Sequence, residues 1–203
     1  MNSEIIISNL CFKIKNKIIF HDLNIKLNNG IYVLQGKSGI GKTTLLNLIS
    51  GLYGDYKGNI IIAGCNKLSY MFQDEMLFSN LTVKENLFIK YCAQNTDKSV
   101  FTTILEKLLY KYDLGDLTDE KIKYLSGGER QRLQLAVLSI DEPDIILLDE
   151  PFSKLDYETR NKTFNYILKE WSDKMVIIVS HDTISTDYNI KYLHMEEGKL
   201  HEL

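Results

Sequence analysis

The 203-residue sequence predicts an α/β fold: a core with a mainly parallel sheet, an antiparallel β layer near the N-terminus, and an inserted helical subdomain. Three observations carry this. Short β-rich runs fill residues 4–35, continuous apolar runs at 145–149 and 175–180 bracket a helix-like stretch, and residues from about 81 to 138 have mostly helical spacing. Uninterrupted β-branched and leucine runs are the mark of strands buried on both faces of a parallel sheet, and a helix between two of them supplies the crossover.

Taken in order, EIII, KIIF, LNIKL and IYVLQ are strand-like runs broken by Asn, Lys and Gly. IYVLQ leads straight into a glycine-rich loop. TTLLNLISGLY then carries apolar residues at helical spacing and stops at Gly51 and Gly54. GNIIIAG and KLSYMFQ read as further strands. VKENLFIKY, the amphipathic VFTTILEKLLYKY and a segment starting after LSGGE read as helices. IILLDEP and KMVIIVSHD are the two buried strands, with TRNKTFNYILKEW as the helix between them. The whole chain, 1–203, is read as one domain, with a core of 1–74 and 139–203 and a helical subdomain at about 75–138.

Composition narrows the function. Hydrophobic residues make up 44% and charged residues 25%, with two prolines, so the chain is expected to be folded throughout. A net charge of −3 offers no basic field for a phosphate backbone, which argues against a nucleic-acid partner. The longest apolar runs are strand-length, well short of the roughly 20 residues of a membrane helix, and the start lacks a signal-peptide pattern. A cytoplasmic location is therefore expected. Cys11, Cys65 and Cys92 are odd in number and widely spaced, which points to free thiols and not to a disulfide framework or a zinc site.

The chemistry lies in three motifs. GKSGIGKTT, residues 36–44, fits G-x-x-x-x-G-K-S/T between a predicted strand and a predicted helix, where a phosphate-binding loop works. Gly36, Lys37, Ser38, Gly39, Ile40 and Gly41 turn successive N–H groups around phosphates, Lys42 reaches the β- and γ-phosphates, Thr43 offers its hydroxyl to Mg²⁺, and Thr44 reaches toward the α-phosphate. IILLDEP delivers two carboxylates at a strand end: Asp149 for the Mg²⁺ shell, and Glu150, pointing differently, to orient or deprotonate an attacking water. LSGGERQR sets Ser126 and two glycines before a helix, a second anion site that taken alone reads equally as an ordinary N-cap.

A glycine-rich phosphate loop, the glutamine of YMFQD, then LSGGERQR, ILLDEP, SKLD and VSHD occur in the order of ABC-type ATPase domains, and the chain resembles that family over nearly its whole length. The resemblance implies a P-loop (RecA-like) ATPase core that uses ATP and Mg²⁺. It implies that Gln73 senses Mg²⁺ and the γ-phosphate, that His181 is the switch histidine, and that Asp156 is the D-loop aspartate. It also implies a head-to-tail homodimer or heterodimer in which Ser126 and Gly128 close over ATP held by the partner's loop, beneath membrane-spanning permease subunits at the cytoplasmic face. Where the family has an adenine-stacking aromatic this sequence has Ile14, and Phe12, two residues earlier, either stacks on adenine or belongs to the core. Val137 stands where many relatives have arginine, and Thr183 and Ile184 replace an acidic pair.

Met76, Leu77 and Phe78 form either the wall of a groove for a partner's helix or a buried turn. Only 52 residues separate Gln73 from Ser126, too few for the heptad insertion of chromosome-maintenance relatives, and there is one ATPase copy where translation-type relatives have two. A transporter subunit is the reading adopted; a stand-alone regulatory ATPase of the same type is the alternative. The run MFQDEMLFSNLTVKENL is similar to importers of small organic solutes such as sulfonates or thiamine precursors, and compact exporters are similar too.

Overall fold

A computed structural model describes residues 3–95, 97–153, 155–180 and 188–203. The first sheet is antiparallel: β1 (Glu4–Ile14) pairs with β2 (Lys17–Asn28) on one side and β4 (Lys57–Ala63) on the other. Ile5 and Ile7 are buried at alternate positions, as a half-covered strand requires. The alternation breaks past Ile7, where the register shifts and Leu10 turns inward.

The second sheet comprises β3 (Gly30–Gln35), β5 (Leu68–Met71), β6 (Ile145–Asp149), β7 (Met175–Val179), β8 (Ile190–Glu196) and β9 (Lys199–Glu202), in the order β5-β6-β7-β3-β8-β9. All its pairings are parallel except β8 with β9. Every residue of β6 and β7 is buried, as their unbroken apolar runs predict. β8 and β9 lie outside the predicted elements: only Leu193 and Met195 are buried, so their sequence carries no long apolar run.

Alternation along β6 divides the core. Ile145 and Leu147 face α1 (Lys42–Ile49), which buries Leu45, Leu46, Leu48 and Ile49 in a cluster shared with Ile5 and Ile7 of the antiparallel sheet. Ile146 and Leu148 face the other way, toward α2 (Val83–Gln94), α3 (Phe101–Lys111), α4 (Gly127–Ser139) and α5 (Tyr157–Glu170). The stretch between β5 and β6 is thus helical, with two 3₁₀ turns at Gly115–Leu117 and Ile122–Tyr124, and it shares one continuous core with α5. No helix among the described residues is long and apolar enough to cross a membrane.

Candidate functional site

The carboxyl ends of β3, β5, β6 and β7 meet at one edge of the parallel sheet, where α/β folds place ligands. The strand ends are tied together: Ser180 N–H donates to the Leu34 carbonyl at 3.3 Å, and Glu150 N–H donates to the Val179 carbonyl at 3.1 Å. The loops that follow β3 and β6 therefore start from a common, rigid line.

Residues 36–41 leave β3 and enter α1 as an exposed turn held by its glycines. A Cβ on Gly36 would lie 2.6 Å from the Met195 carbonyl oxygen, and one on Gly41 would lie 2.6 Å from Cγ2 of Ile19; Gly41 also caps α1 at φ 119°. Gly41→Ala is expected to destabilise the fold by about 1–3 kcal/mol, since it adds both a clash and a strained φ. A urea-unfolding midpoint equal to that of the parent would contradict this. The first turn of α1 has neither a side-chain cap nor an acidic residue, so its N–H groups and the positive end of its dipole are available to an anion.

Lys42 is 5% exposed, and its ammonium donates to the carbonyls of Gly36 at 2.8 Å and Lys37 at 3.1 Å, folding the loop around itself. Burial lowers its proton affinity, against the pull of Glu150 and Asp149. Lys37, Ser38, Gly39 and Ile40 complete the turn, with Ile40 N–H on the Lys37 carbonyl at 3.4 Å, and Thr43 and Thr44 sit in the first helical turn. Lys17, absent from the sequence expectations, donates to the Gly39 carbonyl at 3.4 Å and pins the β1–β2 hairpin to the loop.

Asp149 ends β6 at 1% exposure, and neither of its carboxylate oxygens has a hydrogen-bond partner among the described residues. Burial, aided by the charge of Glu150, raises its proton affinity above the usual carboxylate range. The Thr43 hydroxyl, the Lys42 ammonium and the Tyr70 phenol oppose that shift, the two hydroxyls without closing a bond of normal geometry. A buried, unpaired carboxylate beside a threonine hydroxyl is an all-oxygen donor set that fits a hard divalent cation such as Mg²⁺. Glu150 turns out of the strand at φ 49°, and Gln73 Nε2 donates to its Oε2 at 3.2 Å across 77 residues of sequence. Gln131, within LSGGERQR but given no role there, and Gln134 of α4 line the same crevice as Gln73, Asp149 and Glu150.

Ser126, Gly128, Asp156 and Phe12 meet partners outside the phosphate loop. Ser126 caps α4 in a reciprocal box: its hydroxyl accepts from Glu129 N–H at 3.3 Å, and Glu129 Oε2 accepts from Ser126 N–H at 2.6 Å. Gly128 faces the start of α5, where an added Cβ would meet Thr159 Cγ2 at 3.4 Å. Asp156 caps α5 through Thr159 N–H at 3.0 Å. Phe12 lies opposite Phe20, its ring stacks on Tyr53 at 5.6 Å, and the cleft it lines includes no residue of the phosphate loop. His181, Thr183 and Ile184 lie outside the described residues.

The sequence model of the ABC transporter family matches residues 20–153, a span that holds the phosphate loop, Gln73, Ser126, Asp149 and Glu150. The chain is 35% identical over 185 residues to the taurine import ATP-binding protein TauB of Escherichia coli O157:H7, covering 87% of this chain and 72% of that protein. It is 32% identical over 203 residues to the aliphatic sulfonates import ATP-binding protein SsuB of Bacillus cereus (strain ATCC 10987 / NRS 248), covering 91% of this chain and 77% of that one. Motifs in order and likeness along most of the length have one common explanation: the chain belongs to the ABC transporter family.

Proposed function

We propose that the chain is the ATP-binding and ATP-hydrolysing subunit of an ABC importer, working as a dimer at the cytoplasmic face of the membrane against separate permease subunits. The observation that carries this reading is the orphaned Asp149 carboxylate, buried beside Thr43 and Lys42 at the mouth of a glycine loop. The open N–H groups of α1 and the Lys42 ammonium bind the phosphates, with Lys42 exchanging the Gly36 and Lys37 carbonyls for phosphate oxygens. Thr43, Asp149 and Gln73 would hold Mg²⁺, which when bound neutralises charge on the β- and γ-phosphate oxygens. Glu150 accepts the proton of the attacking water, and Gln73 steers that carboxylate. That Ser126 bonds within α4 and Gly128 faces the start of α5 supports a site completed by a second subunit. The relatives named for taurine and aliphatic sulfonate uptake favour import.

For the permease contact, Met76 is 71% and Phe78 56% exposed, while Leu77 packs on the core. The exposure of Met76 and Phe78 speaks against a buried turn and supports the groove-wall alternative. Asn86 clamps that turn, its Oδ1 accepting from Phe78 N–H at 2.8 Å and its Nδ2 donating to the Phe78 carbonyl at 3.2 Å. A rigid turn carrying two exposed apolar side chains suits a helix-sized partner surface.

The dimeric reading is tested by a Ser126→Ala, Gly128→Glu double variant. Gly128 sits at an ordinary helical position and a Cβ there meets only side-chain atoms, so the variant should fold. Loss of the Ser126 cap costs about 1 kcal/mol. It should bind ATP as a monomer yet neither dimerise nor hydrolyse, because the new carboxylate repels the γ-phosphate held by the other subunit. ATPase activity equal to that of the parent rules out the composite site.

A further inference from the structure

Tyr70 opens the YMFQD run, in which only Gln73 has been given a role. On β5 it stands in parallel register with Leu147 of β6, so strand alternation sends Tyr70, Leu147 and Asp149 to the same face of the sheet, the one covered by α1. Tyr70 and Asp149 are thus diagonal neighbours at the carboxyl edge. The Tyr70 phenol oxygen is buried without a hydrogen-bond partner, and so are both oxygens of Asp149. Its ring is already packed, tilted against Phe72 at 4.3 Å and seated on the α1-side core, so phenylalanine would fill the position as well. A buried hydroxyl and a buried carboxylate left unpaired each carry a desolvation cost, which a contact between them would remove. Each lies within electrostatic reach of the other.

We propose that Tyr70 is a positioning residue for Asp149, its phenol donating to one carboxylate oxygen and thereby aiming the other at the divalent cation. This rests on the reading of Asp149 as a metal-holding group. Mg²⁺ demands near-ideal octahedral geometry, so a carboxylate free to rotate in an apolar wall binds it less well than one held from behind. Partners of this kind, one step removed from the metal, are worth about 10–100-fold in metal affinity.

The test is Tyr70→Phe, which deletes only the oxygen. Binding of a fluorescent ATP analogue is measured against Mg²⁺ concentration, with an EDTA arm for metal-free nucleotide. The expected result is unchanged metal-free affinity and about a 10-fold higher Mg²⁺ concentration for half-maximal effect. The same substitution in an Asp149→Asn background separates positioning from packing: the Mg²⁺ shift should vanish there, whereas a packing effect would persist in both backgrounds. Parent-like Mg²⁺ dependence in Tyr70→Phe, or an equal shift in both backgrounds, overturns the role of Tyr70 alone. A parent whose nucleotide binding ignores Mg²⁺ overturns both this role and the reading of Asp149.

Discussion

Glu150→Gln is expected to slow ATP turnover by about 10²–10⁴-fold, the usual contribution of a positioned general base, while Mg-ATP binding survives. The structure gives reasons for the binding to persist. Glutamine keeps the backbone at φ 49° no more strained than glutamate does, and its amide oxygen can still accept from Gln73 Nε2. Glu150 is also one of the charges that raise the proton affinity of Asp149, so removing it leaves Asp149 more readily ionised and the cation site intact. The same loss of negative charge near the γ-phosphate favours a closed dimer. Size-exclusion chromatography with Mg-ATP should show a dimer for the variant and mainly monomer for the parent, whose dimer hydrolysis clears. Turnover within a few-fold of the parent would move the base elsewhere, with His181 the next candidate. Loss of ATP binding would make Glu150 structural.

Lys42→Ala is expected to weaken ATP binding on the order of 100-fold or more, as the loss of two charge-assisted hydrogen bonds predicts. The phosphates lose the cation buried within the loop, and with it the bonds that replace those to the Gly36 and Lys37 carbonyls. The overall fold should hold, because the loop is exposed and α1 keeps its buried Leu45, Leu46, Leu48 and Ile49. Titration of folded Lys42→Ala with ATP decides the matter, and near-parent affinity would mean that residues 36–44 do not grip the phosphates.

Much of the site was legible because its chemistry is local in the chain. The proposed phosphate loop at 36–44 needs glycines, a lysine and a threonine at set spacing just after a strand, and the proposed cation site needs acids at the end of an apolar run; both patterns sit within ten residues. Strands β6 and β7 were legible for the same reason, since burial on both faces demands continuous apolar side chains. The half-buried strands β8 and β9 carried no such run and went unread.

Ser126 shows the boundary between the two kinds of information. LSGGE announced a helix start, and the reciprocal box with Glu129 is that start; what the same hydroxyl does beyond its own helix depends on a surface far away in sequence. Phe12 shows it from the other side, for an aromatic chosen for adenine is found stacked on Tyr53, 41 residues along.

By itself, then, the sequence determined the family, the glycine-rich loop at 36–44 and the acids that end β6, since each is written in short-range spacing. Only the tertiary structure decided that Gln73 holds Glu150, that Lys17 reaches the Gly39 carbonyl, and that Tyr70 lies beside Asp149. Those contacts follow from strand order and register, which bring together residues 77, 22 and 79 positions apart, and no spacing rule within a single segment encodes them.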